Sequence, residues 1–238
     1  MAAEPTNLFL SSLSLPARES LLAASTAVSM PIRTSLNEAE QPPAFAFFLT
    51  SGIASVVTSM PDGGSAEVGL IGPEGVACSL HLLGPSMVST RCFIQIEATA
   101  LRIPFPKLQK AFRASEEIRV RLLEFVQAQA VSLGQLAGCH RLHEAEQRLS
   151  RWLLEAHDRV QSDELTLTQE FLAMMLGSRR TTVTAVAGSL QRSGLIEHSR
   201  GRVKILDRKK LEATACPCYK VTQHLLTNLY RQEAPMAR

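Results

Sequence analysis

Three groups of side chains in this 238-residue sequence have the types and spacing to do chemistry. The first is Arg179 and Arg180, adjacent cations that follow Gly177 and Ser178 in "LAMMLGSRRTTVTAV", residues 172–186. A guanidinium fork matches paired acceptors such as phosphate oxygens or the O6 and N7 of guanine. The second is "CHRLH", which puts Cys139 and His143 four residues apart with His140 between them, a spacing that could hold a metal or haem. The third is "CPC", Cys216 to Cys218, a redox pair or one half of a zinc site. A complete structural zinc site needs four ligands. Neither group has a second pair beside it in the sequence, so no metal site is expected and Cys216 and Cys218 are left without a role. There is no Gly-rich phosphate loop, no nucleophile elbow and no two-carboxylate or metal-hydrolase motif. The chain is therefore not expected to be an enzyme.

The cations point to a partner. Net charge is only +3, but nine Lys or Arg fall between Arg179 and Lys210, opposed only by Glu197 and Asp207. That stretch has a surplus of seven positive charges and the remainder of the chain stands at −4. A cationic C-terminal region on a near-neutral chain predicts contact with a polyanion. No segment approaches the ~18 apolar residues of a membrane span, and the N-terminal stretch has neither an early basic residue nor a long apolar run, so no signal peptide is expected. Five scattered cysteines fit a reduced, cytoplasmic chain better than a disulfide framework.

These side chains need elements to hold them. Residues 44–105 read as short strands: "FAFFLTSGIASVVTSM", a turn at Pro61 to Gly64, "SAEVGLIG", and the alternating "RCFIQIEATALRIP". This predicts a small antiparallel barrel or sandwich, with a barrel of jelly-roll type preferred, and "GPEGVACSLHLLG" as a turn and a short helix. From Ser115 the period becomes helical. Leu122, Val126, Gln129, Leu133, Leu136 and His140 step by 4, 3, 4, 3 and 4, which predicts a dimer seam. The alternative is one helix packed on its own barrel. A further helix, "EAEQRLSRWLLEAHDRV", has an apolar face of Leu149, Trp152, Leu153 and Ala156.

Around Gly177 two short helices are expected. Thr168 can cap the first, whose apolar face holds Leu172, Met175 and Leu176, and Gly177 supplies a permissive turn. Ser178 can cap the second, whose inner face is Val183, Val186, Ala187 and Leu190. Its outer face shows Arg180, Thr181, Thr184, Ala185 and Gly188, small enough to enter a DNA major groove. Ser178, Arg179 and Thr182 sit where a helix N-terminus meets phosphate. Gly194 ends that helix. "LIEH" and "VKIL" then read as a β-wing whose tip holds Arg200 and Arg202. The predicted class is α+β: an N-terminal antiparallel β-barrel with a helical segment (1–112), a long dimerisation helix (113–141), and a C-terminal winged helix-turn-helix with a terminal helix (142–238). Thr168, Ser178, Arg179, Arg180, Thr181, Thr182, Thr184, Arg200 and Arg202 are the expected DNA contacts.

This order of parts, together with "LTQEFLAMMLGSRRTTVTAVAGSLQRSGLI", "CHRLHEAEQRLSRWLL" and the barrel stretch "FFLTSGIASVV…PDG…EVGLIG", resembles the Crp/Fnr transcription regulators over roughly residues 40–212. The resemblance implies a homodimer on a two-fold symmetric DNA site, a contact with RNA polymerase, an effector in the barrel, and a hinge near His140 to His143. The sequence departs from the family in three places. Thr181 and Ala185 replace a Glu and a second Arg on the recognition helix. Glu74 and Gly75 are present, but Thr90 precedes Arg91, so the order of the cyclic-phosphate clamp is wrong and cyclic nucleotide is not expected. No cysteine precedes Cys78, so no iron–sulfur cluster is expected either. Glu74, Gly75, Thr90, Arg91 and Gln129 remain the candidate effector contacts, with the effector itself unknown. The rival to a DNA reader is a ligand-binding barrel that serves as a regulatory subunit without DNA.

Overall fold

A computed structural model describes residues 6–60, 63–84, 88–199 and 201–231. Two short helices, α1 (Leu8–Ser11) and α2 (Leu15–Leu22), lead into strands β1 (Thr26–Met30), β2 (Ser35–Asn37), β3 (Phe45–Leu49), β4 (Ile53–Ser59), β5 (Ser65–Ile71) and β6 (Val76–Ala77). A 3₁₀ turn, Ser79–Leu82, precedes β7 (Thr90–Ile96) and β8 (Ala98–Pro104). These strands form two antiparallel four-stranded sheets, ordered β1-β8-β3-β6 and β2-β7-β4-β5. Side chains from both sheets share one core, with Phe47 and Leu49 meeting Ala54 and Ile94. The arrangement is of the expected jelly-roll type, but as two sheets rather than a closed barrel. β1 and β2 lie before residue 44, where the reading began. They were not legible because their faces are mixed; in β1 only Met30 is buried. Of the turn expected at Pro61 to Gly64, Pro61 and Asp62 lie outside the described residues. The strands on either side of it pair from Ser59↔Ser65 onward.

Helix α3 (Phe105–Ala114) covers one end of the sheets, and α4 (Glu116–Leu142) follows, capped by Ser115, whose side chain accepts from the Ile118 N–H. The boundary expected at 112/113 falls inside α3. Ile118, Leu122 and Phe125 form the buried face of α4, and Leu122 packs with Phe9, Phe48 and Leu108. The expected seam is therefore corrected at its start, because Leu122 is a core residue of its own chain. Gln129 is also engaged within the chain, donating from Nε2 to the Leu70 carbonyl at 3.1 Å. The outward face of α4 lies one step round the helix. It shows Val120, Leu123, Gln127, Ala130, Gly134 and Ala137, all exposed, with Leu133 exposed beside them.

After a two-residue joint, α5 (Ala145–Val160) opens with a capping box between Glu144 and Gln147. Its predicted face, Leu149, Trp152, Leu153 and Ala156, is buried as expected. Then come β9 (Glu164–Thr166), α6 (Gln169–Leu176), α7 (Arg180–Arg192), β10 (Ile196–Ser199), β11 (Arg202–Ile205), α8 (Arg208–Thr214) and α9 (Cys218–Asn228). The core of this C-terminal half is continuous with one side of the sheets. Ile53, Val57, Leu70, Phe93 and Ile96 pack with Trp152, Leu153, Phe171 and Met175. The Phe93 and Phe171 rings stack at 5.9 Å between centroids. In the terminal helix Cys218, Tyr219 and Thr222 are buried, and Val221 is exposed.

Candidate nucleic-acid interface

The bend at Gly177 has a local cause. Thr168 caps α6, its Oγ1 accepting from the Phe171 N–H at 3.2 Å. At the other end Gly177 takes φ +53°, the left-handed conformation that glycine adopts without strain. Gly177 N–H donates to Met174 O and Ser178 N–H to Ala173 O, which closes the last carbonyls of α6 in a Schellman turn. Ser178 was expected to cap α7 but does not. Its hydroxyl points back and donates to Leu176 O at 3.1 Å, and Arg179 occupies the cap position. An arginine has no acceptor, so the first amides of α7 have no side-chain cap. Such amides, with the positive end of the helix dipole, attract an anion.

Helix α7 buries Val183, Ala187 and Leu190, with Val186 and Gly188 half-buried. Arg179, Arg180, Thr181, Thr182, Thr184 and Ala185 are exposed. Arg180 is 69% exposed and held only loosely by Glu170, at 3.9 Å, an acid that also meets Arg33 at 3.4 Å. Ion pairs this open contribute little, so the guanidinium is free to leave for a better acceptor. Thr184 is partly committed, donating to Arg180 O at 3.0 Å. The two wing strands pair in register from Ile196↔Ile205 to Ser199↔Arg202. Sequence reading missed a third strand, β9, which pairs on the far side of β11 with Thr166 opposite Arg202. Arg202 is exposed at the start of β11, and Gly201 turns the wing at φ +79°. Arg200 lies outside the described residues. Leu167 N–H donates to Gly201 O at 2.8 Å, so the α6 cap and the wing tip are tied together.

The joint below this unit is polar and tight. Arg148 Nη1 lies 3.0 Å from His140 Nδ1 and donates to Leu176 O at 3.1 Å. Burial first, then the guanidiniums of Arg148 and Arg151, push His140 down to about 4. Its ring is therefore neutral near pH 7 and can accept from Arg148. Within its own chain His140 thus sits at the joint and touches the turn.

The five candidate effector residues are not brought together. Glu74 forms a buried ion pair with Arg159 on α5 at 2.8 Å, and a side chain at Gly75 would run into the Phe125 ring. Arg91 lies over the Phe93 ring, 5.2 Å from its centroid. Only Thr90 and Gln129 line a common cavity, of about 260 Å³, between the β2-β7-β4-β5 sheet and α4. Its walls include Val56, Ile71, Val126 and Leu133, and no Lys, Arg, Asp or Glu lines it among the described residues.

The two thiol-bearing groups of the sequence lie together in the fold. Cys139, His143, Cys216 and Cys218 lie far apart in the chain, yet their donor atoms all fall within 4.8 Å of one another. Each pair is the second pair that the other lacked in the sequence. Only their long sequence separation, 77 residues between Cys139 and Cys216, hid this.

Residues 147–214 match the model of the Crp-like helix-turn-helix domain. No curated protein sequence matches the chain. Among solved structures, a putative Crp/Fnr-family transcriptional regulator from Eubacterium rectale is similar, with TM-score 0.68 and 17% identity over 86% of this chain and 95% of that one. The Crp-family regulator TTHB099 of Thermus thermophilus aligns with TM-score 0.65 and 22% identity over 79% and 96%. The c-di-GMP-responsive regulator CLP of Xanthomonas campestris aligns with TM-score 0.63 and 18% identity over 82% and 100%. Among the described residues no helix is long and apolar enough to cross a membrane. The chain carries a Crp-like helix-turn-helix domain on the fold of the Crp/Fnr transcription regulators.

Proposed function

We propose that this protein is a homodimeric, sequence-specific DNA-binding transcription regulator that reads a two-fold symmetric operator through α7. The observation that supports this most is the outward face of α7. It is small apart from Arg180, which is almost unrestrained, its N-terminus has no side-chain cap, and a wing bearing Arg202 follows it within the most cationic stretch of the chain. Arg180 reads a guanine; Thr181 and Thr184 line the groove; Ser178, Arg179, Thr182 and the wing arginines Arg200 and Arg202 contact phosphate; Thr168 braces the α6 end. Contact with RNA polymerase accompanies binding.

The cavity beneath α4 is the effector site in this reading. A cyclic nucleotide or dinucleotide needs a cation for its phosphate. The described walls of this cavity offer Asn37, Ser79, His81, Thr90 and Gln129, with the thiols of Cys78 and Cys92, among aliphatic side chains. A neutral, largely apolar molecule suits it better.

Selection of bound fragments from random duplex DNA tests the main reading. The expected product is an inverted repeat with half-site centres ~34 Å apart, bound with an affinity that falls steeply with salt. Failure to retain any duplex at low ionic strength, with and without cell extract to supply a small molecule, overturns it.

A further inference from the structure

We infer that Cys139, His143, Cys216 and Cys218 bind one tetrahedral divalent ion of the zinc class, and that this ion fastens the C-terminal end of α4 to the connection between α8 and α9. The distances suit a single ion. Cys139 Sγ lies 3.5 Å from Cys216 Sγ, and Cys218 Sγ lies 3.5 Å from His143 Nδ1. Zinc bonds of about 2.3 Å to sulfur and about 2.0–2.1 Å to nitrogen, at tetrahedral angles, put the donors about 3.5–3.8 Å apart. The two halves arrive in forms common for such sites. Cys139 and His143 are one helical turn apart at the end of α4, and Cys216-Pro-Cys218 turns tightly into α9.

The surroundings match a charged centre. All three cysteines are buried. Three thiolates and an imidazole on a dication leave one negative charge. Arg151 is itself only 5% exposed, and it lines the same recess as Gln135, Cys139 and Cys218. One nitrogen of Arg151 pairs with Glu155 at 2.8 Å, while its Nε has no hydrogen-bond partner among the described residues. Gln135 Nε2 donates to Cys218 Sγ at 3.0 Å, the outer support that metal thiolates commonly have. A disulfide explains less. Its bond is about 2.05 Å long, and it would leave His143 and Cys218 converging on nothing. Iron–sulfur clusters take four cysteines, or two cysteines and two histidines in the Rieske type, and need their donors spread around several irons.

The ion also has a mechanical consequence. Its ligands flank His140, which meets Arg148, and Arg148 in turn holds the Leu176 carbonyl at the helix-turn-helix bend. A loaded site fixes the last turn of α4, and through it the seating of α6.

The test uses the full chain, reduced, stripped with chelator, and titrated with Co²⁺ and then Zn²⁺. The expected result is the absorption of tetrahedral thiolate-bound cobalt, saturating at about one ion per chain and displaced by zinc. Cys218→Ser should abolish or shift that spectrum. Gln135→Ala touches no ligand position and endangers no core packing. It should weaken binding roughly 10–100-fold with unchanged circular dichroism, so the proposal stays testable if a cysteine variant misfolds. Three results overturn the inference: no tetrahedral cobalt spectrum from the folded chain, affinity unchanged in both variants, or purified protein that holds a Cys139–Cys216 disulfide or iron with acid-labile sulfide. No DNA enters the experiment, so its outcome is independent of operator recognition.

Discussion

The indole N–H of Trp152 donates to Glu67 Oε1 at 2.7 Å, joining α5 to strand β5 inside the core that the two halves of the molecule share. Glu67 is buried, and Ser55 Oγ lies 2.6 Å from its other oxygen. The same hydroxyl is within hydrogen-bond distance of Gln95 Oε1, and Gln95 Nε2 points at the Met175 sulfur on α6. One hydroxyl has one proton. All these groups are satisfied together when Glu67 is protonated and donates to Ser55, which donates to Gln95. Burial raises Glu67 from the usual 4.5 to about 7, against the opposing pull of Ser55, Trp152 and Arg151.

This gives a sign for the pH dependence of stability. Below pH 4.5 both folded and unfolded chains hold the proton. Between 4.5 and about 7 the unfolded chain loses it first, so this group makes stability fall as pH rises, and the loss levels off above 7. Glu67→Gln keeps the same donor order without a titrating proton. The variant is expected to lose that slope and to exceed the parent at pH 8 by on the order of 3 kcal/mol. Urea unfolding from pH 5 to 8 measures it, and parallel pH profiles for the two proteins would refute the protonated network.

The Glu74–Arg159 pair makes a different prediction. Each side chain is 7% exposed, and the pair ties the turn before β6 to α5. Removing one partner leaves the other charged and buried. Arg159→Met is expected to cost about 3–5 kcal/mol, and Glu74→Gln with Arg159→Met together should recover most of it. If Glu74 instead served an effector, the single change at Arg159 would leave unfolding midpoints untouched.

What the sequence made readable follows from the reach of the interactions. The helix-turn-helix was legible because its determinants are local: Thr168 as cap, Gly177 as the left-handed residue, and an apolar period on either side. The wing needed only a hairpin. Strand β9 escaped because three residues, Glu164 to Thr166, carry no pattern of their own and are defined by β11. The start of the α4 seam was not legible because that helix has two apolar stripes. Ile118, Leu122 and Phe125 face inward while Val120 and Leu123 face out, and the count of fours and threes starts on the inner stripe, at Leu122. The four-ligand cluster lay beyond local reading altogether, since no spacing rule links residue 139 to residue 216.

Substitutions at Arg180 and Arg202 are expected to separate base reading from phosphate contact. Arg180 stands on the first turn of α7 and Arg202 on the wing. Arg180→Ala is expected to cost ~1–3 kcal/mol on the selected operator and to relax preference at one base pair per half-site. Arg202→Ala should weaken all sequences evenly and lower the salt slope by about one per site. Binding titrations on the operator and on single-base variants distinguish them. A uniform loss from Arg180→Ala would make it a phosphate contact.

The outward stripe of α4 carries the dimer prediction. Val120, Leu123, Gln127, Ala130, Gly134 and Ala137 recur every three and four residues on an exposed face, the period of a paired helix. Gly134 weakens a helix by about 1 kcal/mol relative to Ala, and a side chain there would meet nothing within 4 Å in the single chain. In the proposed dimer, a glycine with open space beside it allows a second helix to approach closely. Gly134→Glu should therefore leave the monomer as stable as before or slightly more so, while placing a bulky charge in the seam. Leu133→Asp, at a neighbouring position that is 46% exposed, should act in the same direction. Sedimentation is expected to show monomers for both, with DNA affinity reduced because each half-site is then bound alone. A Gly134→Glu protein that still sediments as a dimer places the pairing surface elsewhere.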